Sequence, residues 1–393
     1  MRIGILTCWS SKDNYGQQLQ CWALQQYLRG QGHQPYLVRF VAQCPSLWKH
    51  VMNKFQLSTF KHLISGRRSR EKAEWRIEKQ LAAINKANNP KREFDKFRNK
   101  YIAMSDRIYT TLSELRESPP VADAYITGSD QVWFDTLSNP NNRAWYLDFG
   151  SESVLRISYA ASIGREILPS EQKLFTRLIQ RLDAVSVREQ SGWEQCQRAS
   201  RTDIMQVIDP TLLIDSQSYS ALTKGEKLHN EDYIFVYVLN VRTQQEIHAG
   251  EIESYRLSKG LKLKTVYSSG YYQGRNLFEG NDSLSATIPE WITLIRDARC
   301  VASSSFHGIV FSIIYHRSFV AIPLTGKRSK ANARLTSLLG SLGLQERIMA
   351  DGSDFKALMD KPIDWDDVER RLSALRSKSW EFLRDALSKK KKI

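Results

Sequence analysis

The apolar positions of this chain switch repeatedly between short runs and helical spacing. Residues 3–8 form an apolar run, a polar stretch follows over 9–16, and residues 17–29 carry Leu19, Trp22, Ala23, Tyr27 and Leu28 at roughly the 3.6-residue period of a helix face. Gly30 and Gly32 end that helix, and residues 35–40 read as a second strand. This is a β–loop–α–β unit of the parallel-sheet kind, whose loop at the strand's carboxyl end faces a ligand crevice. Asn14 lies in that loop, and no G-x-G-x-x-G fingerprint accompanies it.

The alternation continues. A strand is predicted to Thr127, followed by the turn Gly128-Ser129-Asp130. Segments 146–149 and 156–164 supply a further strand and a small-residue turn, then come a helix over 170–182 and a strand over 184–189. Segment 207–213 reads as the exit from a first domain. Beyond it, strands fit 233–239, 264–267, 299–303 and 319–322, and helices fit 244–258, 288–297, 308–315 and 333–342. An amphipathic helix over 365–388 closes the pattern, placed to cross back to the first domain. The predicted organisation is an N-terminal α/β domain (1–215), a second one (216–350), and a C-terminal helix with a basic tail (351–393). Two such domains face a cleft, the default place for a ligand.

Composition changes this picture in three ways. A length of 393 residues and an apolar fraction of 41% suit two globular cores, without an apolar run long enough for a spanning helix or a signal peptide, so the expected location is cytoplasmic. Five scattered cysteines without a C-x-x-C pair argue for buried free thiols rather than a disulfide framework or zinc site, and no required metal is predicted. The net charge of +15 is uneven: residues 48–118 hold 17 Lys/Arg against 8 Asp/Glu, and Lys389 to Lys392 add a basic tail. Residues 45–118 are read as a basic helical arm inserted in the first domain, closed by Pro119-Pro120. Its aromatics interleave with Lys/Arg, which is compatible with nucleic acid, but a packed helical arm explains the same spacing and no nucleic-acid motif is present.

The richest stretch is Ser303-Ser304-Ser305-Phe306-His307-Gly308, between the strand 299–303 and the helix that follows. A small-residue turn at a helix start leaves N–H groups for an anion, and histidine is suited to proton transfer near neutral pH. A cap or packing role is the competing reading of a lone histidine. Arg188 ends a strand; its competing reading is an ion pair with Glu189. Asp130 reads equally as a turn former or as a base.

Several segments, in order, resemble the polysaccharide pyruvyl transferase family: Gly4-Ile5-Leu6-Thr7 with Asn14-Tyr15-Gly16, Gly128-Ser129-Asp130-Gln131-Val132-Trp133, Ile157 to Gly164, Ser186-Val187-Arg188-Glu189, Asp209-Pro210-Thr211, Ser305-Phe306-His307-Gly308 and Asn332-Ala333-Arg334-Leu335. The resemblance implies two Rossmann-like domains arranged as in GT-B glycosyltransferases. It implies no cofactor, with phosphoenolpyruvate as donor substrate and a glycan or lipid-linked oligosaccharide as acceptor, joined as a pyruvate ketal. It implies His307 as general acid/base, with Asp130 orienting or deprotonating an acceptor hydroxyl. Arg188 is implied as the donor-binding arginine, with Ser129, Asn14, Ser305, Phe306 and Gly308 lining the ligand. Family members with established pyruvyl transfer often carry an arginine where this chain has Ser305, which leaves room for a different anionic donor or for an arginine from elsewhere, such as Arg334. Lys327, Arg328 and Lys330 add positive charge nearby. The basic arm and tail are expected to meet an anionic membrane surface at the inner face. The alternative is a GT-B glycosyltransferase using a nucleotide sugar.

Overall fold

The computed structural model of the chain describes residues 1–43, 91–226, 231–268, 277–280 and 283–389. The first half runs β1 (Arg2–Leu6), α1 (Tyr15–Gly30), β2 (Gln34–Phe40), α2 (Phe94–Tyr101), β3 (Met104–Tyr109), α3 (Leu112–Glu117), β4 (Ala124–Thr127), β5 (Leu155–Ala161), α4 (Gln172–Gln180), β6 (Ala184–Val187), α5 (Gln190–Arg198) and β7 (Ile204–Gln206). Its seven strands are all parallel, in the order β3-β2-β1-β4-β5-β6-β7. That order contains the Rossmann arrangement 3-2-1-4-5-6. The second half runs α6 (Ser216–Thr223), β8 (Tyr233–Val238), α7 (Ala249–Ser258), β9 (Lys262–Tyr267), α8 (Ile288–Arg296), β10 (Cys300–Ser303), α9 (Phe306–Ile314), β11 (Ser318–Ala321), α10 (Ala333–Ser341), α11 (Phe355–Asp360) and α12 (Trp365–Ser388). Its four strands are parallel, in the order β11-β10-β8-β9.

The strands are buried on both faces, as parallel strands under crossover helices must be. Ile3 and Ile5 of β1 point into one core while Leu6 points into another; Phe235 and Tyr237 of β8 alternate likewise with Val236 and Val238. One core is shared. It holds Ile3, Ile5 and Ile126 of the first sheet together with Phe235, Val301 and Phe319 of the second, joined by residues of α1, α8, α9 and α12. Tyr15 of α1 stacks on Trp291 of α8, ring centroids 5.1 Å apart, and donates its hydroxyl to the Ala286 carbonyl at 2.6 Å. The molecule is therefore two Rossmann-like layers facing one another, the GT-B-like arrangement expected.

The α12 helix lies back on the first sheet. Phe382 packs on Tyr159 of β5, Trp380 stacks with Tyr27 of α1, and Arg376 donates to the Leu212 carbonyl at 2.8 Å. The fully buried Ser379 hydroxyl accepts from the Ile208 N–H at 3.2 Å and donates to the Leu375 carbonyl.

Four expectations need correction. The basic arm is not wholly helical: β3 lies within it and pairs with β2 as the sheet's edge. An edge strand has one neighbour and keeps polar side chains in solvent, so MSDRIY shows no apolar alternation. Residues 44–90 of the arm lie outside the described residues. Segment 146–149 is no strand, because Tyr146 ends a 3-10 helix, Pro140–Tyr146, and Leu147 has a left-handed backbone. The helix predicted over 244–258 begins only at Ala249, after a left-handed His248. The helix after β10 begins at Phe306, so His307 sits in its first turn rather than in the preceding loop.

Candidate active site

In open parallel sheets the ligand crevice opens at the carboxyl ends of the strands, where the strand order reverses. Here the reversals fall between β1 and β4 and between β8 and β10, and the loops after these strands meet. After β1, the Thr7 hydroxyl donates to the Ser129 carbonyl at 3.0 Å and accepts from Gln20 of α1 at 2.6 Å, tying the first loop to the Gly-Ser-Asp turn. Asn14 caps α1, its side chain accepting from the Gln17 N–H. Gly16 lies directly against the His307 ring: a Cβ there would stand 1.9 Å from Nδ1. Asp130 holds a left-handed backbone with φ of 67°, a conformation aspartate tolerates better than most residues.

The serines before His307 are occupied by backbone. Ser303 donates to the Tyr237 carbonyl at 2.8 Å and accepts from the Ser305 N–H at 3.1 Å. Ser304 donates to the Leu239 carbonyl and accepts from the Leu239 N–H, both at 2.9 Å. Ser305 caps α9, accepting from the Gly308 N–H at 3.5 Å, and Gly308 is required because a Cβ would lie 2.3 Å from Ser303 Oγ. These contacts fix the turn on β8 and β10, so Phe306 and His307 are held by a rigid shelf.

At the centre stands Asp209, which follows β7 and is 1% exposed. Its Oδ1 accepts from the Thr211 N–H and hydroxyl at 3.0 and 2.7 Å. Its Oδ2 accepts from Arg188 Nη1 at 2.6 Å and from the Ser129 hydroxyl at 2.9 Å, and lies 3.6 Å from His307 Nε2. Burial alone would raise this carboxyl, but the His307 imidazole and the Arg188 guanidinium hold it far below the usual carboxylate range. Arg188 is itself 5% exposed. Burial opposes its charge, yet Asp209, Glu189 and Asp130 raise it above its ordinary value. Its Nη2 and Nε stand 3.8 and 3.9 Å from Asp130 and Glu189 and have no hydrogen-bond partner among the described residues; His307 Nε2 has none there either. Buried donors without acceptors are uncommon in folded proteins and mark a place that a polar ligand can complete.

Arg334 of α10 completes the group. Its Nη1 lies 3.5 Å from Asp130 Oδ1, and its guanidinium sits 5.8 Å from the centroid of the Phe306 ring, against which Arg188 also packs at 4.7 Å. Burial, then the nearby Arg188 charge, lowers the Arg334 pKa. Two guanidiniums on one aromatic ring thus share one carboxylate, an arrangement able to receive an anion.

His307, Asp130, Arg188, Ser129, Phe306 and Arg334 are therefore brought together. Asn14, Ser305 and Gly308 have structural contacts that account for them: two helix caps and a close approach. Arg328 donates to the Asn240 carbonyl, Lys330 faces Glu166 at 3.9 Å, and the side chain of Lys327 lies outside the described residues. Sequence reasoning missed two carboxylates. Asp209 looks like a turn residue because a proline follows it, and its position just past a strand was the available signal. Glu189 reads only as an ion-pair partner for Arg188, which it is, with Oε2 3.9 Å from Nε; its Oε1 also accepts from the Ser162 hydroxyl at 2.8 Å and the Ile163 N–H at 3.1 Å. Among the described residues no group of three or more His, Cys, Asp or Glu could hold a metal ion.

The chain has 11% identity to the UDP-GlcNAc 2-epimerase of Methanocaldococcus jannaschii solved with UDP-GlcNAc and UDP, with a TM-score of 0.47 over 96% of this chain and 100% of that one. Arabidopsis thaliana UGT89C1 complexed with UDP-L-rhamnose is similar at 12% identity and a TM-score of 0.48, covering 98% and 97%. No curated protein matches. The family model described as polysaccharide pyruvyl transferase matches residues 14–325, a segment that includes Ser129, Asp130, Arg188, Asp209 and His307. With most of its length matched, the chain belongs to the polysaccharide pyruvyl transferase family and is a transferase.

Proposed function

We propose that the chain transfers a pyruvyl group from phosphoenolpyruvate to a sugar of a cell-surface glycan carried on a lipid. The observation that carries this reading is the buried Arg188, whose Nε and Nη2 have no hydrogen-bond partner among the described residues, beside a His307 Nε2 that has none there either. A donor bearing a carboxylate and a phosphate suits planar guanidinium forks, so Arg188 with Arg334 binds the donor. His307 delivers a proton to the donor's methylene carbon, turning it into a methyl group. The central carbon then bonds to two sugar oxygens while its bond to the phosphate oxygen breaks. Two hydroxyl protons are released: one replaces the proton spent by His307 and the other leaves with phosphate. Asp130, drawn between two arginines, orients the acceptor hydroxyl. Asp209, whose Oδ2 stands 3.6 Å from His307 Nε2, keeps the imidazole beside Arg188.

The direct test is mass spectrometry of glycan acceptors incubated with phosphoenolpyruvate, for wild type and His307→Gln. A ketal product lost in the variant supports the reading. Binding of UDP or GDP without any effect of phosphoenolpyruvate would move the chain to a nucleotide-sugar reaction. Among the described residues no helix is long and apolar enough to cross a membrane. The proposed lipid-linked acceptor is reached by peripheral attachment of the basic arm and tail; unchanged flotation with anionic vesicles after deletion of residues 389–393 would remove the tail from that account.

A further inference from the structure

Beside Arg188 the cleft continues into a cavity of about 150 Å³. Its walls come from three separate parts of the chain: Arg188 and Gln206 from the first sheet's end, Arg334 and Ser341 from α10, and Leu375 and Lys378 from α12. Three lining side chains are cationic. Asp209, the lining carboxylate, is already engaged by Arg188, Ser129 and Thr211. Gln206 is held in place, donating to the Arg188 carbonyl at 3.3 Å and to the Ser337 hydroxyl at 2.6 Å. Arg188 is more than nine-tenths buried and leaves Nε and Nη2 without hydrogen-bond partners among the described residues. Leu375 and Lys378 stand three residues apart on α12, so they share one face of the helix. That face borders the cavity: Leu375 offers an apolar surface and the exposed Lys378 a cation.

We propose that this cavity seats a phosphate group and that Lys378, far outside the segment shared with the family, is its third cation. Taken with the proposed reaction, on which this part rests, the group is the phosphate of the donor. Lys378 then acts on donor affinity from a distance, without touching the reacting carbon. The C-terminal helix becomes a wall of the active site and not only a brace for the fold.

The test uses the full chain and two probes, inorganic phosphate and phosphoenolpyruvate, followed by calorimetric titration. Lys378→Gln is expected to weaken both by roughly fivefold, the range of one partly exposed ion pair, and to raise the KM for phosphoenolpyruvate equally with kcat within about twofold. Ser341→Asp, which sets a carboxylate in the cavity at an exposed position, is expected to abolish phosphate binding. Lys173→Gln, on exposed α4 surface, is the control and should change neither. Wild-type affinity for both anions in Lys378→Gln overturns the assignment, as does failure of the wild-type chain to bind either anion. Lys378-dependent phosphate binding in a protein that makes no ketal product would retain the cavity and discard the reaction.

Discussion

At the scale of single residues, the site is governed by one carboxylate. Asp209 balances Arg188 and His307 in a buried setting. Replacing it with alanine leaves a buried guanidinium without its strongest partner, a change expected to cost roughly 3–5 kcal/mol. Chemical denaturation of Asp209→Ala beside Asp209→Asn measures it, and the asparagine variant should lose less because it retains hydrogen-bonding atoms. The pH dependence has a definite sign. The folded carboxyl lies below its unfolded value near 3.9, so its stabilising contribution is complete above that pH and is lost as pH falls toward the folded value. Melting temperature followed downward from pH 5 should therefore drop more steeply for the wild type than for Asp209→Asn. Gly16 gives a sharper test of geometry. A methyl group there would stand 1.9 Å from His307 Nδ1, so the imidazole must move. Displacement of a catalytic group by about 1 Å costs on the order of a hundredfold in rate. Gly16→Ala should lose activity to about that extent, with far-UV circular dichroism unchanged.

At the scale of elements, what was legible in the sequence follows from burial. The β1–α1–β2 unit announced itself because both faces of β1 are buried, which forces an apolar run, and because α1, buried all round from Gln18 to Gln25, carries Leu19, Trp22, Ala23 and Leu28 at helical spacing. β3 and β7 did not: one is an edge strand dotted with Asp106 and Arg107, and the other is three residues long. The cluster Ser305-Phe306-His307-Gly308 was found, but serine and histidine in a turn do not disclose whether they cap or catalyse. In the structure Ser305 caps α9, whereas His307 Nε2 has no hydrogen-bond partner among the described residues. Asp209 stayed hidden because its partners come from residues 129, 188 and 307, which no local pattern connects. The α12 helix has one internal polar anchor worth testing. Ser379→Ala removes the acceptor for the Ile208 N–H in a fully buried setting. It should cost roughly 1–3 kcal/mol, visible as a lowered melting temperature, whereas Ser379→Thr should restore part of the loss.

At the scale of the whole molecule, the two sheets are not independent bodies joined by a hinge. Their shared core, the Tyr15–Trp291 stack and the return of α12 make each half part of the other's interior. A single thermal transition is expected, and calorimetry showing two separated peaks would contradict it. The buried thiols add a simple reading: Cys21, Cys196 and Cys300 are each pushed by burial up to about 12. At neutral pH they stay protonated, so alkylating reagents should modify them only as the fold opens.

The return of α12 also constrains how the protein is made. Tyr27 and Tyr159 are synthesised more than 200 residues before the side chains that cover them, Trp380 and Phe382. Until α12 has been made, the first sheet carries an uncovered greasy strip. A nascent chain stalled before residue 365 should therefore be held by chaperones or aggregate, and emergence of α12 should act as the latch that lets both sheets settle at once.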